Sequence, residues 1–258
     1  MFTKALVLSV SCSALMFGCA AEPQDSAGDT QEIIDNLQQA GFPKTDIQIF
    51  DGKVYVGLDA EVSLAASREM LQAPAGLEQF RTTNLVGTGV TNICVNGSAF
   101  TGNFSTALNN AIANYNAQPI RFRLTRTTGS TAGCSATITG RLVGGGAGGS
   151  SGFPSGGLPF NTINIASATG SFSTAVIEHV ITHEIGHTIG FRHSDFFNRS
   201  ISCGGAATNE GNGGVGAILI PGTPSGATLG GSLMNSCFRS TENGNFSSTD
   251  ITALNALY

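Results

Sequence analysis

The sequence predicts an α+β fold: stretches with helical spacing and stretches with strand alternation both occur, and they do not follow one another regularly. The 258 residues are 41% hydrophobic and only 11% charged, enough apolar material to bury a sizeable core. That composition excludes a charge-solvated disordered chain. The 35 glycines follow no three-residue period, which excludes collagen. A net charge of −5 argues against nucleic acid as a partner, since phosphate binding needs clustered Lys and Arg.

The charge is unevenly placed. Residues 19–70 carry ten Asp and Glu against Lys44, Lys53 and Arg68, a net of −7. Residues 71–258 carry seven acids against eight Arg, a net of +1. An acidic N-terminal unit is therefore expected ahead of a near-neutral main domain.

Lys4 precedes an apolar run over residues 5–17, too short to span a bilayer and suited to a signal-peptide core. The run ends at Gly18-Cys19 and turns polar, as in a bacterial lipoprotein signal whose Cys19 becomes the lipidated first residue. Met16 and Phe17 depart from the usual residues of such signals, so ordinary secretory cleavage near Ala20 or Ala21 stays as the alternative. Either route exports the chain, to the cell envelope or outer membrane as a lipoprotein or to the extracellular space. Cys12 and Cys19 lie in the signal, leaving Cys94, Cys134, Cys203 and Cys237. Four cysteines in an oxidising compartment predict two disulfides with three connectivities, and neighbourhood favours Cys94–Cys134 and Cys203–Cys237. Zinc binding by these cysteines lacks the Cys-x-x-Cys pair that would support it.

Three parts follow: 1–18 as signal peptide, 19–79 as an acidic pro-like segment with linker, and 80–258 as the main domain. In the segment, residues 29–40 read as an amphipathic helix, and Ile47–Phe50 and Lys53–Val56 as strands of a hairpin around Asp51-Gly52. Residues 59–71 read as a second helix, giving an αββα plan, and Pro74 and Gly76 mark the linker.

In the main domain a strand is expected near 91–95. Phe104, Ala107, Leu108, Ala111, Ile112 and Tyr115 form a helical stripe ended by Gln118-Pro119. Ile120, Phe122 and Leu124 alternate with Arg121, Arg123 and Thr125, a half-buried strand with a solvated face. Residues 144–157 hold eight glycines with no phosphate-loop spacing, and read as a flexible loop. Asn161, Thr162, Ile163, Asn164 and Ile165 then form a short alternating strand. Ser173 or Thr174 caps a helix running through His187, and Ser247-x-x-Asp250 resembles a capping box opening a C-terminal helix.

All four histidines fall between 179 and 193, and three lie in His183-Glu184-Ile185-Gly186-His187-Thr188-Ile189-Gly190-Phe191-Arg192-His193. His183 and His187 stand one helical turn apart on one face, close enough for one metal. Gly190 provides the helix-ending turn that brings His193 back to the same ion. Three neutral nitrogens with a fourth position open describe a catalytic zinc site. Glu184 lies about 100° round the helix from His183, beside the ligands but not among them. The expected chemistry is peptide-bond hydrolysis by a zinc-activated water with Glu184 as general base. At this composition the five fixed positions match by chance on the order of once in 10⁵ such sequences. His179, one turn before His183, is expected to pack against or support a ligand.

At these residues the chain resembles the metzincin zinc endopeptidases. Ser232-Leu233-Met234-Asn235-Ser236 fits the clan's Met-turn, with Met234 as an apolar floor under the metal. It most resembles the dual-action HEIGH metallopeptidases, through His183 to His187, Gly190-Phe191-Arg192-His193-Ser194-Asp195 and Ile220-Pro221-Gly222-Thr223-Pro224. The resemblance covers most of residues 80–258. It implies a twisted mixed sheet with two long helices and a C-terminal helix, one catalytic Zn2+, and protein or peptide substrates. Astacins and serralysins place a metal-binding Tyr two residues after the Met, where this chain has Ser236, so no tyrosine switch is expected. Residues 161–165 are the candidate edge strand for extended substrate, and Asp195 either fastens the site or is an exposed helix-end charge.

Metzincins are often made with an inhibitory pro-segment. No cysteine lies between Cys19 and Cys94 to block the metal, so a carboxylate such as Asp59 or Glu61 is the expected blocker, against a plain solvated spacer. A monomer is expected, touching the membrane only through the N-terminal lipid. The acids after residue 70 give little basis for calcium, although backbone carbonyls could supply a site. The rival reading is a surface-binding lipoprotein that keeps a non-catalytic zinc site.

Overall fold

The computed structural model describes residues 26–71, 80–211, 217–224 and 226–258. The expected signal peptide over 1–18, Cys19 and the expected linker up to residue 79 lie outside the described residues.

The N-terminal unit comprises α1 (Ser26–Gln39), β1 (Gln48–Phe50), β2 (Lys53–Val56), β3 (Ala60–Glu61) and α2 (Leu64–Met70). Asp51 and Gly52 turn the hairpin with positive φ of 49° and 73°, as a type I′ turn requires. The helix expected over 59–71 is shorter. The Ser63 side chain accepts from the Ala66 amide and starts α2 at Leu64, which leaves Ala60–Glu61 extended to pair with β2. The unit has a small core in which Leu37, Val56, Ala66 and Met70 are wholly buried, and Phe153 of the main domain completes it.

The main domain contains β4 (Phe80–Arg81), β5 (Asn92–Asn96), α3 (Gly102–Asn116), β6 (Arg123–Thr127), β7 (Ala136–Val143), β8 (Gly149–Gly152), β9 (Thr162–Ala166), α4 (Thr174–Thr188), α5 (Ser200–Cys203), β10 (Ile218–Leu219) and α6 (Ser248–Leu257). Eight strands form one mixed sheet in the order β1-β2-β3-β8-β9-β7-β5-β6. Strands β5, β6, β7 and β9 run parallel to their neighbours in this set, and β8 runs antiparallel to β9. Against this sheet pack α3 and α4, with Ile93, Ile138, Ile163 and Ile165 meeting Leu108, Tyr115, Ile177, Ile181 and Ile185. Glu178 of α4 accepts from Asn110 and Asn114 of α3 and holds the helices in register. The α+β class, mixed sheet, two long helices and C-terminal helix agree with expectation.

Three expectations need correction. Asn161, Thr162, Ile163, Asn164 and Ile165 do not form an edge strand, because β9 lies between β7 and β8. The strand that covers it comes from the glycine-rich stretch, which is not a loop throughout. Gly149 and Gly152 allow a close approach there: a Cβ would fall 2.6 Å from Glu184 Oε1 at the first and 2.5 Å from the Glu61 carbonyl at the second. The outer side of β8 pairs in parallel with β3, at Ala60–Ser151 and Glu61–Gly152. Arg121 also departs from the solvated row: its guanidinium lies 4.6 Å from the Tyr258 ring centre and donates to the Val86 carbonyl.

Cys94 is bonded to Cys134 and Cys203 to Cys237, the neighbourhood pairing. The second bridge ties α5 to the chain just after Met234.

Candidate metal centre

Helix α4 is buried on all sides from Val176 to Thr188, as its apolar composition dictates, and Ser173 caps it by accepting from the Val176 amide. It delivers His183 and His187 from consecutive turns. The chain leaves the helix at Gly190, whose φ of 109° strains any L side chain and whose Cβ would fall 2.8 Å from the Asn84 carbonyl. His193 then returns to the same point. Its Nε2 lies 3.3 Å from the Nε2 of His187 and 3.3 Å from that of His183.

The tautomers follow from the other ring nitrogens. Nδ1 of His183 faces Leu233 O at 2.8 Å, Nδ1 of His187 faces Phe191 O at 2.8 Å, and Nδ1 of His193 faces Glu210 Oε1 at 2.7 Å. Each partner is an acceptor, so each Nδ1 carries the proton and each Nε2 presents a lone pair.

The fourth position, left open by the ligand spacing alone, is occupied by Asp59, one of the two carboxylates named above as expected blockers. Asp59, on the turn before β3, places Oδ2 3.1 Å from His193 Nε2 and 3.5 Å from His183 Nε2, with Oδ1 3.5 Å from His187 Nε2. All four donor atoms lie within 4.8 Å of one another. Ligands about 2.0–2.1 Å from a tetrahedral zinc sit about 3.3–3.4 Å apart, which matches these spacings. Asp59 Oδ1 is buried without a hydrogen-bond partner. An orphaned carboxylate oxygen facing converging lone pairs repels them unless a cation lies between, so the donor set fits a metal ion. Electrostatics agree. Burial disfavours charge on His193, yet the carboxylates of Asp59 and Glu210 outweigh it and hold its pKa well above the ordinary range.

Glu184 stands beside this cluster, 1% exposed. The Ser151 hydroxyl lies 2.8 Å from Glu184 Oε2 and 2.9 Å from its carbonyl. Burial, with the Asp59 charge next in weight, pushes the Glu184 carboxyl well above its usual pKa. A cavity of about 280 Å³ opens here, its lining including Asp59, Gly149, His179, Val180, His183, Glu184 and Phe238.

Met234 reaches α4 from behind. A Cβ on Gly186 would fall 2.6 Å from its sulfur, so that glycine makes room for it. The same turn supplies Leu233 O to His183, and Met234 O accepts from the Ser194 amide at 2.7 Å. Asp195 is wholly buried and accepts from Ser202 and Ser236 through both amides and both hydroxyls, so it fastens the site and is not an exposed charge. His179 stacks on His183 with ring centres 6.5 Å apart, and burial lowers its pKa to about 4, leaving it neutral. Sequence reasoning missed Glu210 and Ser151. Neither sits in a motif, and no local signal could have found them.

With this geometry in place, the family model described as dual-action HEIGH metallo-peptidase matches residues 54–258. The chain belongs to that family. It is a metallopeptidase, and the three histidines with Asp59 are a His/Asp group that could hold a metal ion. No curated protein matches this metallopeptidase. Among solved structures, it is similar to one of myroilysin at 14% identity, covering 68% of this chain and 82% of that chain with a TM-score of 0.41. A crystal structure of myroilysin aligns at 16% identity over 73% and 92% of the two chains, with a TM-score of 0.40. High choriolytic enzyme 1, a hatching-enzyme zinc protease of the medaka fish Oryzias latipes, aligns at 17% identity over 68% and 92%, with a TM-score of 0.38.

Proposed function

We propose that this metallopeptidase is an exported, lipid-anchored zinc endopeptidase made in a latent form, with residues 19–79 inhibitory and residues 80–258 catalytic. The observation that supports it most is the position of Asp59 at the fourth corner of a three-histidine site. A carboxylate there excludes both water and a substrate carbonyl. His183, His187 and His193 would hold one zinc ion. A zinc ion so held supplies Lewis acidity, lowering the pKa of a water to about 7 and polarising a carbonyl. Glu184, oriented by Ser151, takes the proton of the attacking water and passes it to the leaving amine. Departure of Asp59 removes one of the two influences that favour a protonated Glu184. Extended protein or peptide substrate adds to β8 once β3 has left it. Met234 supports the ligand helix at Gly186. The two disulfides favour an oxidising compartment, and Cys19 would carry the lipid. The chain acts as a monomer.

In the full chain, Asp59→Ala is expected to raise casein cleavage several-fold, and adding Glu184→Ala to abolish it while one zinc per chain remains. No gain from Asp59→Ala sinks the latency. Undiminished cleavage after Glu184→Ala removes the assigned general base. One observation favours the rival, a binding lipoprotein with a structural zinc: four protein donors close the site, as structural zinc sites are closed. That reading requires zinc uptake without cleavage in any variant.

A further inference from the structure

The three imidazoles of the proposed metal centre are not steadied alike. His183 and His187 rest Nδ1–H on main-chain oxygens, which any side chain at those positions would leave in place. His193 depends on a side chain, Glu210, 17 residues further along. His193 also sits on neither helix nor strand, so regular backbone does not aim its ring.

Glu210 is itself held. It is 1% exposed, and its amide donates to Phe196 O at 2.8 Å. Oε1 accepts from the Ser236 hydroxyl at 3.3 Å, and Oε2 accepts from Arg192 Nη2 at 3.1 Å. The Arg192 guanidinium is in turn placed over the rings of Phe42 and Phe196, 4.8 and 5.3 Å from their centres. The bare Cα of Gly57 closes the last side: a Cβ there would fall 2.9 Å from Oε2.

We infer that Glu210 is the positioning residue of the third metal ligand. It holds His193 in the Nδ1–H tautomer, turns the Nε2 lone pair to the metal, and by its charge makes this imidazole a stronger donor than the two held by carbonyls. A purely structural role, neutralising buried Arg192, is the alternative. The geometry favours positioning because the two tasks use different oxygens: Oε1 faces the imidazole and Oε2 the guanidinium.

The inference rests on the proposed metal centre but not on peptide cleavage. The test measures zinc affinity of the full chain by competition with a chelating indicator, with the visible spectrum of the Co2+-loaded protein as a second readout. Glu210→Ala is expected to weaken zinc binding roughly 10–100-fold and to alter the Co2+ spectrum. Glu210→Gln keeps the volume and one acceptor oxygen, and should lose about tenfold or less. Glu178→Ala serves as control, since it breaks the ties to Asn110 and Asn114 and lowers the melting temperature without touching a ligand. If Glu210→Ala does not fold, a weaker zinc affinity of folded Glu210→Gln still supports positioning. Wild-type affinity in folded Glu210→Gln and Glu210→Ala overturns it. So does a loss of affinity that tracks melting temperature equally in the Glu210 and Glu178 variants. A wild-type chain that binds zinc but cleaves nothing defeats the proposed function and leaves Glu210 standing, whereas one that binds no zinc defeats both.

Discussion

Gly149 shows how an absent side chain positions a present one. The Glu184 carboxylate lies over its bare Cα, and the Ser151 hydroxyl two residues on lies within hydrogen-bond reach of Glu184 Oε2. Gly149→Ala would place a methyl 2.6 Å from Glu184 Oε1, so the carboxylate must turn away from Ser151. Released by segment removal or by Asp59→Ala, the variant is expected to lose most of its kcat/KM, with zinc content and melting temperature close to the parent. A charged-group hydrogen bond contributes about 1.5–3 kcal/mol, which puts the loss at roughly 10–100-fold. Unchanged kcat/KM would show that Glu184 does not need this orientation.

Among the secondary-structure elements, α6 links ordinary helix chemistry to the metal centre. Ser247 and Asp250 form a reciprocal capping box at its start. Asp250 does more than cap. Its Oδ1 accepts from the Ser232 hydroxyl at 2.6 Å and its Oδ2 from the Leu233 amide at 3.0 Å, so the helix start also pins the turn whose carbonyl holds His183. The two partners of the box therefore differ in weight. Ser247→Ala is expected to cost about 1 kcal/mol, an ordinary cap. Asp250→Ala should cost about 2–4 kcal/mol and weaken zinc binding as well, because buried donors of the turn lose their acceptor. Denaturant unfolding and chelator competition on both variants check this; equal effects would reduce Asp250 to a cap.

Over the whole molecule, the N-terminal unit is attached at several places, including Glu69, which accepts from the Ser155 hydroxyl and the Gly156 amide. Asp59 enters the metal site, β3 pairs with β8, and Asp46 meets Arg199 at 2.9 Å. Its own core is small and needs Phe153 of the main domain to complete it. A unit this size is therefore held by docking as much as by internal packing. Leu37→Ala removes a wholly buried side chain of that core, at a cost of about 2–5 kcal/mol. The segment should then detach more often, with faster amide exchange in β8 and higher casein cleavage by the uncut chain. Slower or unchanged cleavage together with faster exchange would mean that detachment does not expose a working site.

Much was legible from local pattern. The helices 102–116 and 174–188, the Asp51-Gly52 hairpin and the box at Ser247 rest on bonds between residues a few positions apart, and spacing along the chain records such bonds. His183, His187 and Glu184 were legible for the same reason, since one helical turn fixes their relation. The rest depended on residues distant in sequence. Strand β8 escaped notice because glycines carry no apolar alternation, and β9 passed for an edge because its alternation says nothing of which strand lies beside it. The αββα plan likewise missed β3, a two-residue strand that pairs locally with β2 and whose other partner, β8, is distant in sequence, as in the Ala60–Ser151 pairing. Asp59 reaches His193 across 134 positions and Glu210 across 17, neither at a helical or strand period. Residue types and short spacings thus point to the candidate groups for the proposed chemistry. Which carboxylate closes the site, and which one steadies it, depends on loop closure and packing across the molecule, where no local hydrogen bond leaves a pattern to read.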